Sequence, residues 1–253
     1  MGENKKNVIT VLLYHSVSNG NLKIDIPPNL FEEQVKFISD NFKIVSYDDL
    51  IKSVVNSENI KENIAVFTFD DGYLDFYTDA FPILKKFSIP SKVFLITSAI
   101  ETGRLSFGKV SNRKFLTYKE IEELSKEQIC SFGAHTHTHI NLRVTPVKRV
   151  VKELKVSYEI LKNLLKTTQI DFSYPWGIVY HKNIVRSLYR SAVGGRDGIL
   201  DGRRKIDLYA IPRIPLKRES FQKFKKRISG KYVYESYFRE VKLLFNDLKK
   251  HVH

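Results

Sequence analysis

Six uncharged residues in a row, Ile64–Phe69, five of them β-branched or aromatic, read as a β-strand buried on both faces. Such a strand needs helices on either side of its sheet, which points to parallel pairing and an α/β fold. The run stops at Asp70-Asp71-Gly72. Burying ionised carboxylates is costly, so the pair belongs at the strand's exit with a partner, where Gly72 lets the chain turn. Neighbouring side chains at a strand end aim in different directions, so one carboxylate is expected to bind and the other to react. Acids at strand ends also cap helices or hold sugars, and this stretch alone leaves catalysis open.

The rest of the chain alternates in the same way. Ile9–Leu13 is an apolar run that ends in Tyr14-His15-Ser16, and Ile44–Val45, Lys92–Ile96, Ile129–Ala134, Ile170–Tyr174, Ser191–Val193 and Leu208–Ile214 read as further strands. Between them lie helical patterns. Asn29 is expected to cap a helix to about Asp40, Ser46 begins one to Val55, and Leu74–Phe87 is helical with a kink at Pro82. Thr117 caps a helix to Lys126. Thr145-Pro146 starts one whose apolar residues, from Val147 through Leu154 to Leu165, keep a 3.6-residue period. A helix at His181–Arg190 and basic amphipathic helices at Ser220–Ile228 and Tyr234–Lys250 follow. About seven strand–helix units in a single domain, 1–253, fit a barrel of parallel strands, with basic C-terminal helices over about 217–250. In barrels the chemistry gathers at the strands' C-terminal ends. His15, Asp70-Asp71, the cluster His135–His139 and Tyr174-Pro175-Trp176 all stand at such ends, and polar residues 101–114 are long enough to loop over them.

Composition removes several alternatives. No apolar run approaches the roughly 18 residues of a membrane span. Met1–Asn7 lacks the apolar segment of a signal peptide, so the chain as given is expected in the cytoplasm, or at the cell surface if a leader has been removed. The single cysteine, Cys130, rules out an internal disulfide and cysteine metal clusters, so any metal must use His, Asp or Glu. The net charge of +14 comes from Lys and Arg spread along helices rather than clustered with stacking aromatics. It reads as a solvated surface, with no nucleic-acid partner expected.

Three of the seven histidines fall within five residues, His135, His137 and His139. Two imidazoles and a carboxylate make a ligand set for zinc or another divalent ion. A spacing of four lets His135 and His139 share an ion, with His137 aimed elsewhere or competing for the role. A second carboxylate can take a proton from water, and a histidine can protonate a departing amine. The inventory describes metal-assisted hydrolysis of an amide or ester.

Thr68-Phe69-Asp70-Asp71-Gly72-Tyr73, His135-Thr136-x-x-His139 followed by Asn141-Leu142, and Tyr174-Pro175-Trp176-Gly177 resemble the motifs of the polysaccharide deacetylases, carbohydrate esterase family four. Ala80–Phe87, Ile89-Pro90 and Val93–Leu95 also resemble the family between its first two motifs. The resemblance spans about residues 9–215 and implies a distorted (β/α) barrel of about seven strands. It implies removal of N-acetyl, or O-acetyl, groups from an N-acetylated oligo- or polysaccharide, with Asp70 as general base. Asp71, His135 and His139 would hold a divalent metal, zinc by default, and Tyr174 and Trp176 would contact the substrate or its oxyanion. Two departures stand out. Ser173 occupies the place where many members carry a base-orienting arginine, a role left to Arg213. No late acid histidine is evident, since only His251 and His253 follow His181; Val11–His15 instead resembles the circularly permuted branch, which includes deacetylases of β-1,6-linked N-acetylglucosamine polymers, and that resemblance makes His15 the acid. The alternative is a catalytically silent carbohydrate-binding or basic surface-binding protein on the same scaffold. An amidohydrolase barrel lacks its later metal histidines here, and a haloacid-dehalogenase phosphatase lacks its Asp-x-Asp.

Overall fold

The computed structural model describes residues 8–105 and 113–228, with backbone alone at 195–197. Its frame is a set of parallel strands: β1 (Val8–Tyr14), β2 (Ile64–Phe69), β3 (Ser91–Leu95), β4 (Cys130–Ala134), β5 (Phe172–Ser173), β6 (Ala192–Asp197) and β7 (Ile211–Pro215). Each pairs with the next, and β1 pairs with both β2 and β7, so the seven strands close into a (β/α) barrel. The barrel is distorted. β5 meets β4 through the single pair Ala134–Phe172, and the β6–β7 register slips between Ile211 and Arg213. Pro212 and Pro215 bring no N–H to the ladder, which suits β7 to irregular pairing. Short strands Lys43–Ile44 and Leu200–Asp201 flank the barrel, and Ser16–Val17 pairs with Asp25–Ile26 in a separate ribbon.

The two-residue period of each strand sorts its side chains. Ile9, Val11, Ile64, Val66, Phe94 and Val193 face the lumen, whereas Leu12, Phe67, Val93, Phe132 and Phe172 pack outward under the helices. On that inward parity Gly133 has no room for a side chain, since a Cβ there would stand 2.6 Å from the Phe94 ring. Continuing the inward parity past the strand ends reaches His15 from β1, Asp70 from β2, His135 from β4 and Ser173 from β5, with Arg213 inward on β7. Strand parity thus delivers the polar residues to one mouth of the barrel.

The opposite mouth is plugged by α2 (Tyr47–Val55), whose Tyr47, Leu50 and Ile51 join the lumen cluster. Ser46 caps it by accepting from the Asp49 amide at 3.0 Å. The outer layer comes from α1 (Pro28–Asn41), α3 (Phe81–Lys86), α4 (Tyr118–Ser125), α5 (Val147–Leu165), α6 (Lys182–Leu188) and α7 (Phe221–Ile228). None of these helices is long and apolar enough to cross a membrane.

Prolines account for several differences from the sequence reading. Pro28, not Asn29, opens α1, and Pro146 stands just outside α5 rather than inside it. The helix expected over Leu74–Phe87 is a π-helical turn, Phe76–Ala80, followed by α3. Pro82 donates no hydrogen bond and crowds the carbonyl four residues earlier, and the wider turn relieves that clash. Residues 106–112 of the expected loop, the helix expected at Tyr234–Lys250, and His251 and His253 lie outside the described residues.

Candidate active site

At the exit of β2 the Asp70 amide still donates to the Tyr14 carbonyl, 2.9 Å away, which keeps Asp70 on the inward face. The chain then turns through two left-handed residues, Asp71 at φ 72° and Gly72 at φ 75°. A side chain at Gly72 would meet Leu95 Cδ2 at 2.6 Å, so the position demands glycine on both counts. A non-glycine residue held left-handed costs about 1–3 kcal/mol, a strain that gathers at functional sites. It swings Asp71 away from its neighbour.

Asp70 is buried and fully engaged. Arg213 donates from Nη1 to Oδ1 at 2.8 Å and from Nη2 to Oδ2 at 2.6 Å, and Ser173 Oγ donates to Oδ2 at 3.0 Å. Arg213 also donates to Ser173 Oγ at 2.8 Å and to Thr68 Oγ1 at 3.2 Å. Burial alone would raise the Asp70 pKa, but the Arg213 charge, aided by His135, holds it well below the usual carboxylate range. An arginine from β7 therefore grips Asp70, and Ser173 completes the grip with a hydroxyl.

Asp71 has different company. Its Oδ1 lies 3.5 Å from His135 Nε2 and 3.6 Å from His139 Nε2, and one donor atom from each residue falls within 4.8 Å of the others. Tetrahedral ligands about 2.0–2.2 Å from a zinc ion stand roughly 3.3–3.6 Å apart, so these spacings fit one ion. His135 Nδ1 donates to the Ser173 carbonyl at 2.9 Å, which leaves Nε2 as the lone-pair nitrogen facing Asp71. Burial, and then repulsion from His135, pulls the His139 pKa down to about 4, so that ring is neutral and ready to ligate.

The remaining candidates divide. His137 turns outward, its Nδ1 3.0 Å from Thr97 Oγ1. His181 caps α6 with its ring against Tyr180, among residues that join no part of the cluster. His15 reaches the mouth on the inward parity of β1, and its Nδ1 is buried without a hydrogen-bond partner among the described residues. Tyr174 turns the other way. Because Ser173 faces inward, Tyr174 faces outward, where its ring is fully buried against Phe172. Its amide donates to the Val193 carbonyl at 3.0 Å, so neither group is offered to a substrate. Trp176 is offered: it is 68% exposed, with its ring centroid 5.1 Å from that of His139.

Sequence reasoning missed Glu153. On α5 it accepts from both the Thr138 amide, at 2.8 Å, and the Thr138 hydroxyl, at 2.7 Å, holding the turn between the two histidines that face Asp71. Nothing in the helical pattern of α5 sets this glutamate apart except its burial, which only the structure reveals.

The chain resembles several known proteins. YxkH of Bacillus subtilis is 28% identical over 170 residues, covering 67% of this chain and 57% of that protein, so the chain spans little more than half of YxkH's length. The poly-beta-1,6-N-acetyl-D-glucosamine N-deacetylase of Staphylococcus aureus is 25% identical over 240 residues, 89% of this chain and 80% of the relative. The deacetylase PplD of Streptococcus pyogenes, solved in complex with acetate, superposes with a TM-score of 0.69 at 26% identity over 83% of this chain and 92% of PplD. IcaB of Ammonifex degensii shares the fold, with a TM-score of 0.73 at 23% identity over 86% and 95% of the two chains. Residues 57–192, more than half of the 253, match the family model described as polysaccharide deacetylase, and the chain belongs to that family.

Proposed function

We propose that the chain is a metal-dependent hydrolase that removes N-acetyl groups from an oligo- or polysaccharide, releasing acetate and leaving a free amine. The observation that carries this reading is the separation of two adjacent carboxylates, Asp71 turned to His135 and His139, Asp70 turned to Arg213. A divalent ion held by Asp71, His135 and His139, zinc by the nature of the donors, would supply Lewis-acid polarisation of the acetyl carbonyl and of water. Asp70 accepts the proton of the attacking water. Arg213 keeps that carboxylate ionised and fixes its plane through two parallel hydrogen bonds. As the new C–O bond forms and the C–N bond breaks, His15 donates a proton to the leaving nitrogen, which would otherwise depart as a strongly basic anion. Trp176 offers an exposed ring on which a sugar face can stack. A β-1,6-linked N-acetylglucosamine polymer is the first substrate to test, because the Staphylococcus aureus relative is named for that activity. A silent binding scaffold accounts less well for a buried aspartate paired with a buried arginine.

Acetate release from N-acetylglucosamine oligomers tests the reading. Chelation should abolish it and added zinc or cobalt should restore it. Asp70→Asn should keep its metal and lose about 10²–10⁴ in turnover. Metal loss from Asp70→Asn, or full activity after complete chelation, would overturn the assignment.

A further inference from the structure

β1 ends at Tyr14 and His15 stands one residue beyond it. Among the described residues no hydrogen bond to Nδ1 aims its ring, which leaves the backbone that carries it to set its direction. That backbone is gripped by Asp75, four residues past Asp71 on the turn leading away from β2. Ser16 Oγ donates to Asp75 Oδ2 at 2.7 Å, and the Val17 amide donates to Asp75 Oδ1 at 3.2 Å. Both carboxylate oxygens thus hold the two residues that follow His15, which also pair with Asp25–Ile26.

Arg113 stands behind this clamp. It donates from Nη2 to Asp25 Oδ1, its Nη1 lies 4.0 Å from Asp75 Oδ2, and its guanidinium carbon lies 4.7 Å from the centre of the Tyr73 ring. Tyr73 itself stands two residues past Asp71 on the turn that leaves β2. The group therefore joins the turn bearing His15 to the turn that carries Asp71 out of β2. A carboxylate is an expensive choice at Asp75: its side chain is 18% exposed and its nearest cation sits at the limit of ion-pair range. A serine or asparagine can hold a turn with less desolvation, so two acceptor oxygens at this point call for an explanation beyond local folding.

We propose that Asp75, backed by Arg113, is a positioning residue for His15, clamping the Ser16–Val17 turn so that the imidazole is held over the site. The proposal rests on the reading of His15 as the acid, and the experiment separates the two. The readout is the ratio of kcat/KM for an N-acetylglucosamine oligomer to that for an activated aryl acetate ester, whose leaving group needs no acid. It is measured in wild type, His15→Ala, Asp75→Ala and the double variant, with metal content determined for each. His15→Ala should lower the ratio. Asp75→Ala should lower it about tenfold, part of the roughly 10²–10⁴ that a general acid contributes, with metal still bound. The double variant should fall no further than His15→Ala, because two residues that act through one group are not additive.

An Asp75→Ala ratio within twofold of wild type, alongside a lowered His15→Ala ratio, overturns the positioning role. Losses that multiply in the double variant overturn it as well. An unchanged ratio in His15→Ala instead overturns the acid assignment, and this proposal with it. Should Asp75→Ala fail to fold, Ser16→Ala removes one of the two clamping bonds and decides by the same comparison.

Discussion

Asp70 and Asp71 are chemically identical and adjacent in the chain, yet one is closed in by an arginine and the other opens onto two imidazoles. The difference lies in one backbone dihedral, the left-handed φ at Asp71, and in which strand lies opposite. The three clustered histidines divide for a similar reason. His135 lies on the inward parity of β4, His139 is brought back by its own left-handed residue at φ 55°, and His137 is tied to Thr97 between them. His135→Ala and His139→Ala should each lose bound metal, while His137→Ala should keep most of it; elemental analysis of the purified variants checks this, and equal losses from all three would show the pair to be misassigned. At this scale the sequence was informative where several unusual residues sat together. It was less so where one ordinary residue arrived from far away. Arg213 lies 143 positions from Asp70, and only the proline-flanked run around it suggested a role. Asp75, Arg113 and Glu153 carried no such mark. The motif around Tyr174 was legible, while the parity of β5 that turns its ring outward was not.

At the scale of elements, burial decided what could be read. Strands buried on both faces announce themselves as apolar runs, and β2, β3 and β4 lie within a residue or two of where composition puts them. β5 was expected over Ile170–Tyr174 and retains two paired residues, because pairing depends on its neighbours' register rather than on its own apolar content. Helix ends were shifted by prolines, which suit the first helical position and the one just outside it alike. Elements also matter to chemistry when one reaches another, as α5 does through Glu153. Glu153→Gln removes one acceptor from the clamp on Thr138, and partners behind metal ligands typically set affinity by 10–100-fold. Metal affinity should therefore weaken by about tenfold, measured by competition with a chromogenic chelator, with little change in helix content by circular dichroism. An unaltered affinity would make the clamp a matter of folding alone.

Across the whole molecule the barrel is polar at both ends and apolar between. Below the Phe94 layer, Lys92 and Arg190 pair with Asp171, which is wholly buried, and Tyr47 hydrogen-bonds Ser191 at 2.8 Å. Burial would raise the Asp171 pKa, but Lys92 and Arg190 bring it below 3.8, so its contribution to stability is present above that pH and is lost as pH falls through the folded-state value. At the mouth bearing His15, Asp75 behaves in the opposite sense. Burial outweighs its hydrogen bonds from Ser16 and Val17 and raises its pKa from 3.8 to about 6. The folded protein then holds that proton more tightly than the unfolded chain, so stability falls as pH rises between those values. The interval corresponds to about 3 kcal/mol, at 1.36 kcal/mol for each unit of pH. Asp75→Asn removes the titration and adds only a pH-independent offset from the acceptor it exchanges for a donor. Urea unfolding of both proteins, with chelator present throughout, should show the variant gaining on wild type from pH 4 to pH 6 and then holding level. A difference that stays flat from pH 4 to pH 7 would mean that Asp75 ionises as freely in the folded protein as in water, and that the clamp on the His15 turn carries no cost of burial.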